Sequence, residues 1–458
     1  MTLPQICVAE IFARWAADLG EDDVPPPVRQ ALRRTLLDSL GLMVAARDSN
    51  YVHAAIAAAD GSGPCTAVGH AGGFDAMTAA LINGTAVHGE DYDDTFEGTP
   101  VHVGAVMVPA LLAAAQQRGL SGGEVLRGLA VGSELICRLA LVAPTAMHRQ
   151  GFHPTAICGA FGAAAGVATA LGLPPDRIAC ALGIVGSMAS GIIEYLAEGT
   201  WTKRLHPGWA AGAGWRAARM AEAGFLGPRS VFEGEHGAFH AFAAAQIERD
   251  FSHLADGLGA RWEVANLAFK PYACGTMAQP FIDCALQLRG QIADLGSVAS
   301  IVAKVGEGTV HRLWEPMAEK IAPSTPYGAK FSVPYCVAVA LRDGDAGLGQ
   351  FTEERIGDAA TLTLAAKVGY EIDPENEYPR NYTGDLLVTL KDGGQLAARQ
   401  PCLRGGRGAP LNEEELQAKF HANARFGGWN DARAEQMRAL AQTLFDQSDL
   451  SGLSAFAD

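Results

Sequence analysis

The spacing of apolar residues predicts helices over most of the chain. Apolar positions recur every three to four residues, which is the period of an amphipathic helix. A run of prolines opens one of these segments, and Ser121 with Glu124 has the spacing of a capping box before another. We therefore predict helices at 3–20, 26–47, 73–88, 153–172 and 175–190, after Ser121, and from about residue 408 onward.

The pattern changes after about residue 270. Residues 297–306 alternate in the manner of a strand, and residues 384–396 hold an Asp-Gly-Gly turn typical of a hairpin. Further helical patterns lie between them at 275–290, 332–342 and 353–367. We therefore expect a mainly α protein with two domains. A large all-helical domain takes residues 1–268 and 405–458, and a smaller α+β domain takes residues 269–404.

One polar stretch interrupts the apolar pattern of the first domain. It lies between two apolar helical segments, so both of its ends should run into the core. If the first helix continued through Thr95, then His88, Asp91 and Thr95 would share one face. Polar groups in such a place need partners, so the stretch is either a solvated turn or a site. Its polar residues are His88, Glu90, Asp91, Asp93, Asp94, Thr95, Glu97 and His102.

Other positions also attract attention. Lys270 lies in an apolar segment, and lysine is rarely buried without a reason. His153 stands directly before a helix start, where a cap or packing role is the ordinary explanation. Lys203 and His206 lie in a basic turn, for which a solvated surface is the simpler explanation. Tyr335 heads an apolar helix, where a core tyrosine with a satisfied hydroxyl is common.

Composition narrows the class of protein. The chain has 458 residues and a net charge of −15, which argues against nucleic acid as a partner. No apolar run is long enough to span a bilayer, so we expect no membrane partner. The nine cysteines form no CxxC pair, and the N-terminus lacks a signal-peptide layout, so we expect reduced thiols and a cytoplasmic protein.

The order of these motifs resembles a known family. The segments HGEDYDDT with His102 after it, GFHPTAICGAFGAAAG, GTWTKRLHPGWAA, KPYAC and FSVPY are similar to successive motifs of the MmgE/PrpD family. That family includes 2-methylcitrate dehydratase, cis-aconitate decarboxylase and iminodisuccinate epimerase. The resemblance implies a helical domain with a smaller α+β lid domain, a homodimer, and chemistry without metal or other cofactor. It also implies a small dicarboxylate or tricarboxylate substrate.

The resemblance assigns roles to residues, which it places around a cleft between the domains. It implies that the catalytic residues are Asp91, His102, His153, Lys203, Lys270 and Tyr335. Substrate binding falls to Thr95, Lys203 and Lys270, to which we add His206 from the same basic turn. No residue is assigned to a metal.

Two departures from the family pattern affect the predicted reaction. Val103 and Gly104 follow His102 where dehydratase-like members commonly have a His-Pro-Ser step, and Glu90 replaces an aliphatic residue. We therefore favour an isomerase, an epimerase that removes and returns an α-proton on a polycarboxylate such as iminodisuccinate. The alternative is a lyase of the same family, a dehydratase or a decarboxylase, because elimination starts from the same carbanion.

Two functions of other classes remain open. A metal-dependent hydrolase could use His88, Asp91, Asp93, Asp94 and His102 as ligands, although no HExxH-like spacing is present. A non-catalytic helical binding protein would need none of these residues for turnover.

Overall fold

The structure is a computed structural model that describes residues 6–99 and 101–457. It is mainly α with two small sheets, and the mainly α class agrees with the prediction. Contacts within the chain define two compact units. Of the described residues, the first unit takes those up to Gly89, Asp93–Leu267 and those from Asn423 onward, and the second takes Glu90–Tyr92 and Ala268–Ala422.

The first unit is built from helices packed around α8. Every residue from Thr155 to Ala170 of this helix is buried, and α8 packs on α5, α6, α9 and α11. The helices before the second unit are α1 (Val8–Asp18), α2 (Pro26–Ala46), α3 (Asn50–Ala57), α4 (Ala76–Gly89), α5 (Gly104–Arg118), α6 (Gly122–Val142), α7 (Ala146–Arg149), α8 (Pro154–Ala170), α9 (Pro175–Val185), α10 (Tyr195–Glu198), α11 (Thr202–Glu222) and α12 (Ala238–Phe242). Two short strands are β1 (Thr95–Phe96) and β2 (Leu267–Ala268).

Local signals explain where several of these helices begin. The predicted capping box of α6 is confirmed, since the Ser121 amide donates to Glu124 Oε2 at 2.7 Å and the Glu124 amide donates to Ser121 Oγ at 3.3 Å. Pro154 and Pro175 stand at the first position of α8 and α9, where a missing amide hydrogen costs nothing. The predicted helix at 3–20 runs from Val8 to Asp18, and residues 3–5 lie outside the described residues.

The helix predicted at 73–88 is confirmed as α4 and does not continue through Thr95. Helix α4 ends at Gly89, Asp91 adopts a left-handed backbone with φ of 54°, and Thr95 lies in β1. His88, Asp91 and Thr95 therefore do not share a helical face. A left-handed residue cannot continue a right-handed helix, which is why the polar stretch is a turn.

The second unit packs helices against a four-stranded sheet of order β4-β3-β5-β6. The predicted hairpin is confirmed, with Leu387 opposite Ala397 and the Gly394 amide donating to Asp392 Oδ1 in the turn. The elements are α13 (Gln279–Arg289), β3 (Val298–Val305), α14 (Glu307–Leu313), α15 (Met317–Ile321), α16 (Pro326–Ala329), α17 (Val333–Asp343), α18 (Glu353–Ile356), α19 (Ala359–Ala365), β4 (Val368–Ile372), β5 (Gly384–Leu390), β6 (Gln395–Gln400) and α20 (Glu413–Phe426).

Helix α21 (Asp431–Thr443) and the two 3-10 turns after it, Leu444–Asp446 and Ser451–Phe456, belong to the first unit. Helix α20 crosses from one unit into the other at residues 422 and 423. Compact units defined by contacts are not the same as independently folding domains, so the predicted boundaries at 268 and 405 stay a prediction. No helix in the described part of the chain combines the length and the apolar character that crossing a bilayer requires.

Candidate active site

Four histidine side chains form a buried row in the first unit. The ring centroids of His102 and His88 are 4.6 Å apart, those of His88 and His153 are 5.6 Å apart, and those of His153 and His206 are 5.3 Å apart. All four residues are buried. They come from the end of α4, the turn before α5, the start of α8 and the first half of α11. We name these four residues the histidine row.

Two glycines bring α4 and α11 close enough to form the row. A Cβ on Gly84 would lie 2.5 Å from the Cα of Gly208, and a Cβ on Gly208 would lie 2.3 Å from the carbonyl oxygen of Leu81. His88 stands one helical turn after Gly84, and His206 stands two residues before Gly208. The close crossing therefore places both histidines on the same side of the first unit.

The first turn of α8 supports the centre of the row. His153 is the residue before Pro154, and its amide donates to the Gly191 carbonyl at 2.9 Å. Thr155, two residues on, accepts a hydrogen bond at Oγ1 from the His102 amide at 3.1 Å. One helix start thus fixes two members of the row, His102 and His153.

Asp93 sets the protonation of two histidines. Its Oδ2 lies 2.8 Å from His88 Nδ1 and 3.2 Å from His102 Nδ1. His102 Nδ1 also lies 2.9 Å from the carbonyl oxygen of Asp94, which can only accept. His102 Nδ1 must therefore carry a hydrogen in this arrangement, which leaves its Nε2 to accept or deliver a proton.

Charge balance keeps Asp93 ionised. Burial alone would raise its pKa, but the neighbouring His102 and His88, by attraction and by hydrogen bonding, hold the pKa well below its ordinary value. Asp93 is therefore an anion at neutral pH. An ionised carboxylate is a strong acceptor, so it fixes the direction of both imidazole hydrogen bonds.

Burial makes the other histidines neutral. It lowers the pKa of His88 to about 4 and that of His206 to about 4, and it holds the pKa of His153 well below its ordinary value. The positive charge of Lys203 lowers all three pKa values further. Lys203 lies one helical turn before His206 on α11. The Nδ1 atoms of His153 and His206 are 3.1 Å apart, so one ring donates and the other accepts.

Asp94 is a second buried carboxyl beside the row. Burial and repulsion from Asp38 and Asp93 raise its pKa to about 7, although hydrogen bonds from the Gly104 amide at 2.8 Å and Thr35 Oγ1 at 2.9 Å act against this. Gly104 is one of the departures from the family pattern. A Cβ at this position would lie 2.7 Å from Ser39 Oγ and 2.9 Å from Asp94 Oδ2, so the close approach of Asp94 requires glycine.

The second unit holds three of the predicted site residues. Lys270 is buried and its Nζ lies 2.6 Å from the carbonyl oxygen and 3.5 Å from Oδ2 of Asp91. Asp91 adopts its left-handed backbone there, a conformation that is uncommon for residues other than glycine and that the surrounding contacts must stabilise. The ammonium of Lys270 and the carboxylate of Asp91 therefore form a buried ion pair.

Tyr335 belongs to the core of the second unit. It is fully buried, its hydroxyl donates to the Gln350 carbonyl at 2.6 Å, and burial raises its pKa to about 12. This arrangement favours a packing role, and its catalytic role stays a prediction. Thr95, predicted to bind substrate, is buried in β1 of the first unit, and this role also stays a prediction.

Part of the metal hypothesis fits the geometry. One ligand atom each from His88, Asp93 and His102 can be chosen so that all lie within 4.8 Å of one another. However, His102 Nδ1 faces two acceptors, the carboxylate of Asp93 and the carbonyl of Asp94, and must therefore be a donor. Nδ1 of His102 therefore has no lone pair to offer a metal, and only its Nε2 could bind one. Asp93, His88 and His102 Nδ1 already form a hydrogen-bonded triad.

The structure thus groups the predicted residues into two sets. His102, His153, Lys203 and His206 come together in the first unit, and Asp91, Lys270 and Tyr335 belong to the second. The sequence placed His88 and Asp93 in the polar stretch and gave them a specific chemical role only as metal ligands. It did not indicate that His88 belongs to the histidine row or that Asp93 binds two of its members. The spacing of residues could not show these contacts, because the backbone of the turn after α4 sets the direction of the Asp93 side chain.

Known proteins resemble this chain over almost its whole length. Residues 10–249 match the MmgE/PrpD N-terminal domain, and residues 272–446 match the MmgE/PrpD C-terminal domain. The cis-aconitate decarboxylase-like protein oryM of Aspergillus oryzae is 26% identical, with 98% of each chain covered. Cis-aconitate decarboxylase of Aspergillus terreus is 25% identical, covering 97% of this chain and 95% of that protein. Cis-aconitate decarboxylase of Homo sapiens is 30% identical, covering 82% of this chain and 78% of that protein.

Proposed function

The chain belongs to the MmgE/PrpD family, and from this premise we propose that it is a lyase that decarboxylates a small tricarboxylate of the cis-aconitate type. Three relatives that align over most of their length are named as cis-aconitate decarboxylases or as similar to them. These relatives favour the lyase, which the sequence analysis placed second, over the epimerase.

The observation that carries the proposal is the histidine row with Asp93 and Lys203. Loss of CO2 breaks a carbon–carbon bond and leaves an electron pair, which spreads onto a remaining carboxylate. Such charge must be stabilised by fixed cations or donors, and Lys203 supplies a cation in the first unit. The electron pair must then take a proton at carbon, and His102 Nε2 is the group we assign to this transfer. Asp91 and Lys270 are kept as proposed catalytic residues.

The experiment is product analysis in heavy water. The purified protein is incubated in D2O separately with cis-aconitate, 2-methylcitrate and iminodisuccinate, and each mixture is followed by NMR. We expect cis-aconitate to lose CO2 and its product to carry one deuterium at carbon. Water loss from 2-methylcitrate would replace the decarboxylase with a dehydratase.

An epimerase is the second candidate, because it would use the same stabilised carbanion and return the proton without loss of a group. Glu90 and Gly104 support it, as both depart from the pattern of the dehydratase-like members. Deuterium at the α-carbon of iminodisuccinate, with change of configuration and no alkene, would overturn the lyase in its favour. Activity that persists in EDTA with metal-free protein would reject the metal-dependent hydrolase.

We also propose that the protein is a homodimer in which a second copy covers an apolar stripe on α11. Trp201, Leu205 and Trp209 are spaced by four residues and are 48%, 38% and 41% exposed. Ile192 and Leu196, also four residues apart, are 60% and 54% exposed. Large apolar side chains grouped in this way are typical of a protein interface.

Light scattering after gel filtration tests the dimer. We expect the unaltered protein to have the mass of two chains and Trp209→Glu to have the mass of one. Leu226→Glu is the matched control, because Leu226 is 76% exposed and lies outside the stripe. A monomeric unaltered protein would contradict the proposal. We further propose a cytoplasmic location. The nine cysteines support it, since none of them forms a disulfide and a reducing compartment favours thiols.

A further inference from the structure

Three buried lysines of the second unit bind three successive backbone carbonyls. Lys330 Nζ donates to the Glu90 carbonyl at 2.7 Å, Lys270 Nζ to the Asp91 carbonyl at 2.6 Å and Lys419 Nζ to the Tyr92 carbonyl at 2.8 Å. All three lysines are buried, which is rare for this residue type. We name Lys270, Lys330 and Lys419 together the lysine clamp.

Each lysine makes a second contact to the same residue whose carbonyl it binds. Lys330 also forms a short ion pair with the Glu90 carboxylate. Lys270 lies 3.5 Å from Asp91 Oδ2, and Lys419 lies 3.9 Å from the centre of the Tyr92 ring. The clamp therefore fixes both the backbone and the side chains of the tripeptide.

A fourth bond closes the arrangement. The Tyr92 hydroxyl donates to the carbonyl of Pro271 at 2.8 Å, and Pro271 is the residue that follows Lys270. The tripeptide and the segment that carries Lys270 thus hold each other at two points. The tripeptide is also the part of the chain that links His88 and Gly89 to Asp93.

The conformation of Asp91 explains why such a clamp is needed. Its φ of 54° is unfavourable for a residue with a side chain, and the surrounding structure must compensate for it. Hydrogen bonds to charged donors contribute more than those between neutral groups, so three ammonium groups can do so. Without the clamp the tripeptide would relax to an ordinary backbone, and the Asp91 carboxylate would turn away from Lys270.

We propose that Lys330 and Lys419 are positioning residues that hold the Glu90–Tyr92 backbone so that the Asp91 carboxylate faces the Lys270 ammonium during the reaction. This inference rests on the proposed function, because it gives Asp91 and Lys270 a part in turnover. Lys330 and Lys419 act through Asp91 rather than on the substrate.

The test combines Lys330→Met and Lys419→Met with Asp91→Asn. Each methionine variant should lower kcat at least about tenfold while KM changes less than about threefold, because the ion pair is misplaced and substrate affinity is largely kept. In the Asp91→Asn background the same substitutions should change kcat less than about twofold, because the group they position is already lost. Lys367→Met is the matched control, since Lys367 Nζ donates to the Val298 carbonyl at 2.6 Å elsewhere in the second unit.

Amide hydrogen exchange separates this inference from the proposed function. Exchange of residues 90–93 should be faster in both methionine variants and unchanged in Lys367→Met, whether or not any of the three acids is turned over. An unaltered protein that is inactive on all three acids would overturn the proposed function and leave the exchange result standing.

Unchanged exchange at 90–93, or kcat losses that multiply with that of Asp91→Asn, would overturn the clamp. If the methionine variants do not fold, Lys419→Gln, which keeps a neutral donor, takes their place. Faster exchange at residues 90–93 would then support the clamp, and unchanged exchange there would overturn it.

Discussion

At the scale of single residues, Asp93 is the group on which the proposed chemistry depends. It is ionised, buried and bound to the Nδ1 atoms of His88 and His102, which leaves the Nε2 of His102 for the proton transfer that we propose. Without that carboxylate, only the Asp94 carbonyl would hold the hydrogen of His102 on Nδ1. We therefore expect Asp93 to reinforce one tautomer of His102 and to fix that of His88.

We expect Asp93→Asn to lower kcat at least about a hundredfold, because an amide can donate to Nδ1 and so reverse the tautomer of the neighbouring histidine. Steady-state kinetics measures the loss, and nitrogen-15 NMR of labelled histidine reports the tautomer. Glu97→Gln is the control, since it removes a carboxylate from the same turn outside the histidine row. A kcat of Asp93→Asn within about threefold of the unaltered protein would contradict this role.

The lowered pKa of His206 predicts how stability changes with pH. The folded state holds its pKa at about 4, mainly by burial, whereas a histidine in the unfolded chain has a pKa of about 6.5. The unfolded state therefore binds more protons between these values. The stability that comes from a neutral His206 is complete above about pH 6.5 and is lost as the pH falls toward about 4.

We expect His206→Asn to be less sensitive to acid than the unaltered protein over this range. The urea concentration at the midpoint of unfolding, measured from pH 7 to pH 4, should fall less steeply in the variant. Asp94, whose pKa is raised to about 7, acts in the opposite direction in both proteins, so the comparison removes its effect. The exposed His236→Asn is the control, and equal slopes in His206→Asn and the unaltered protein would contradict the account.

Sequence reasoning found some of these residues and missed others for physical reasons. The apolar neighbours of Lys270 in the sequence indicated a buried side chain, and Lys270 is buried in the structure. Lys330 also lies in an apolar segment, so the same signal was present there. Lys419 lies on an amphipathic helix whose first turn is acidic, and nothing local distinguishes it from a surface lysine. Its role depends on contact with Tyr92, far away along the chain.

At the scale of elements, the crossing of α4 and α11 decides whether the histidine row exists. The crossing has no room for a side chain at Gly84 or Gly208. Helix packing at such short distances requires glycine in both partners. The crossing therefore links a structural feature of two helices to the position of His88 and His206.

We expect Gly84→Ala to destabilise the protein by about 1–3 kcal/mol and to lower activity as well, because overpacking at the crossing pushes α4 and α11 apart. Thermal unfolding and kcat are measured together. Gly290→Ala is the control, since a Cβ there would meet no atom within 4 Å. A stable and fully active Gly84→Ala variant would show that the crossing does not position the site.

The sequence predicted some elements well and others poorly. The spacing of apolar residues, the helix-start signals and the turn residues predicted α2, α6 and the β5–β6 hairpin, because these signals are local in the sequence. Helix α11 contains Pro207 and several glycines, which weaken a helix in isolation, and it is stabilised by packing on α4 and α8. Strand β4 pairs in parallel with β3, and a parallel partner leaves no turn signal between the two strands.

At the scale of the whole molecule, family membership and local geometry support the same kind of reaction. The MmgE/PrpD match covers both parts of the chain, and the first unit contains a cation, an ionised carboxylate and neutral imidazoles in one cluster. The named decarboxylases are 25–30% identical to this chain. Product analysis with the three candidate acids assigns the substrate.

The most direct measurement is the rate of product formation from cis-aconitate in D2O by the unaltered protein, His102→Gln and the control His236→Gln. We expect a decarboxylated product with one deuterium at carbon. His102→Gln should form it at least about a hundredfold more slowly than the unaltered protein, and His236→Gln should form it at the unaltered rate. Equal rates for folded His102→Gln and the unaltered protein, or a product without deuterium, would contradict the claim that the histidine row delivers the proton.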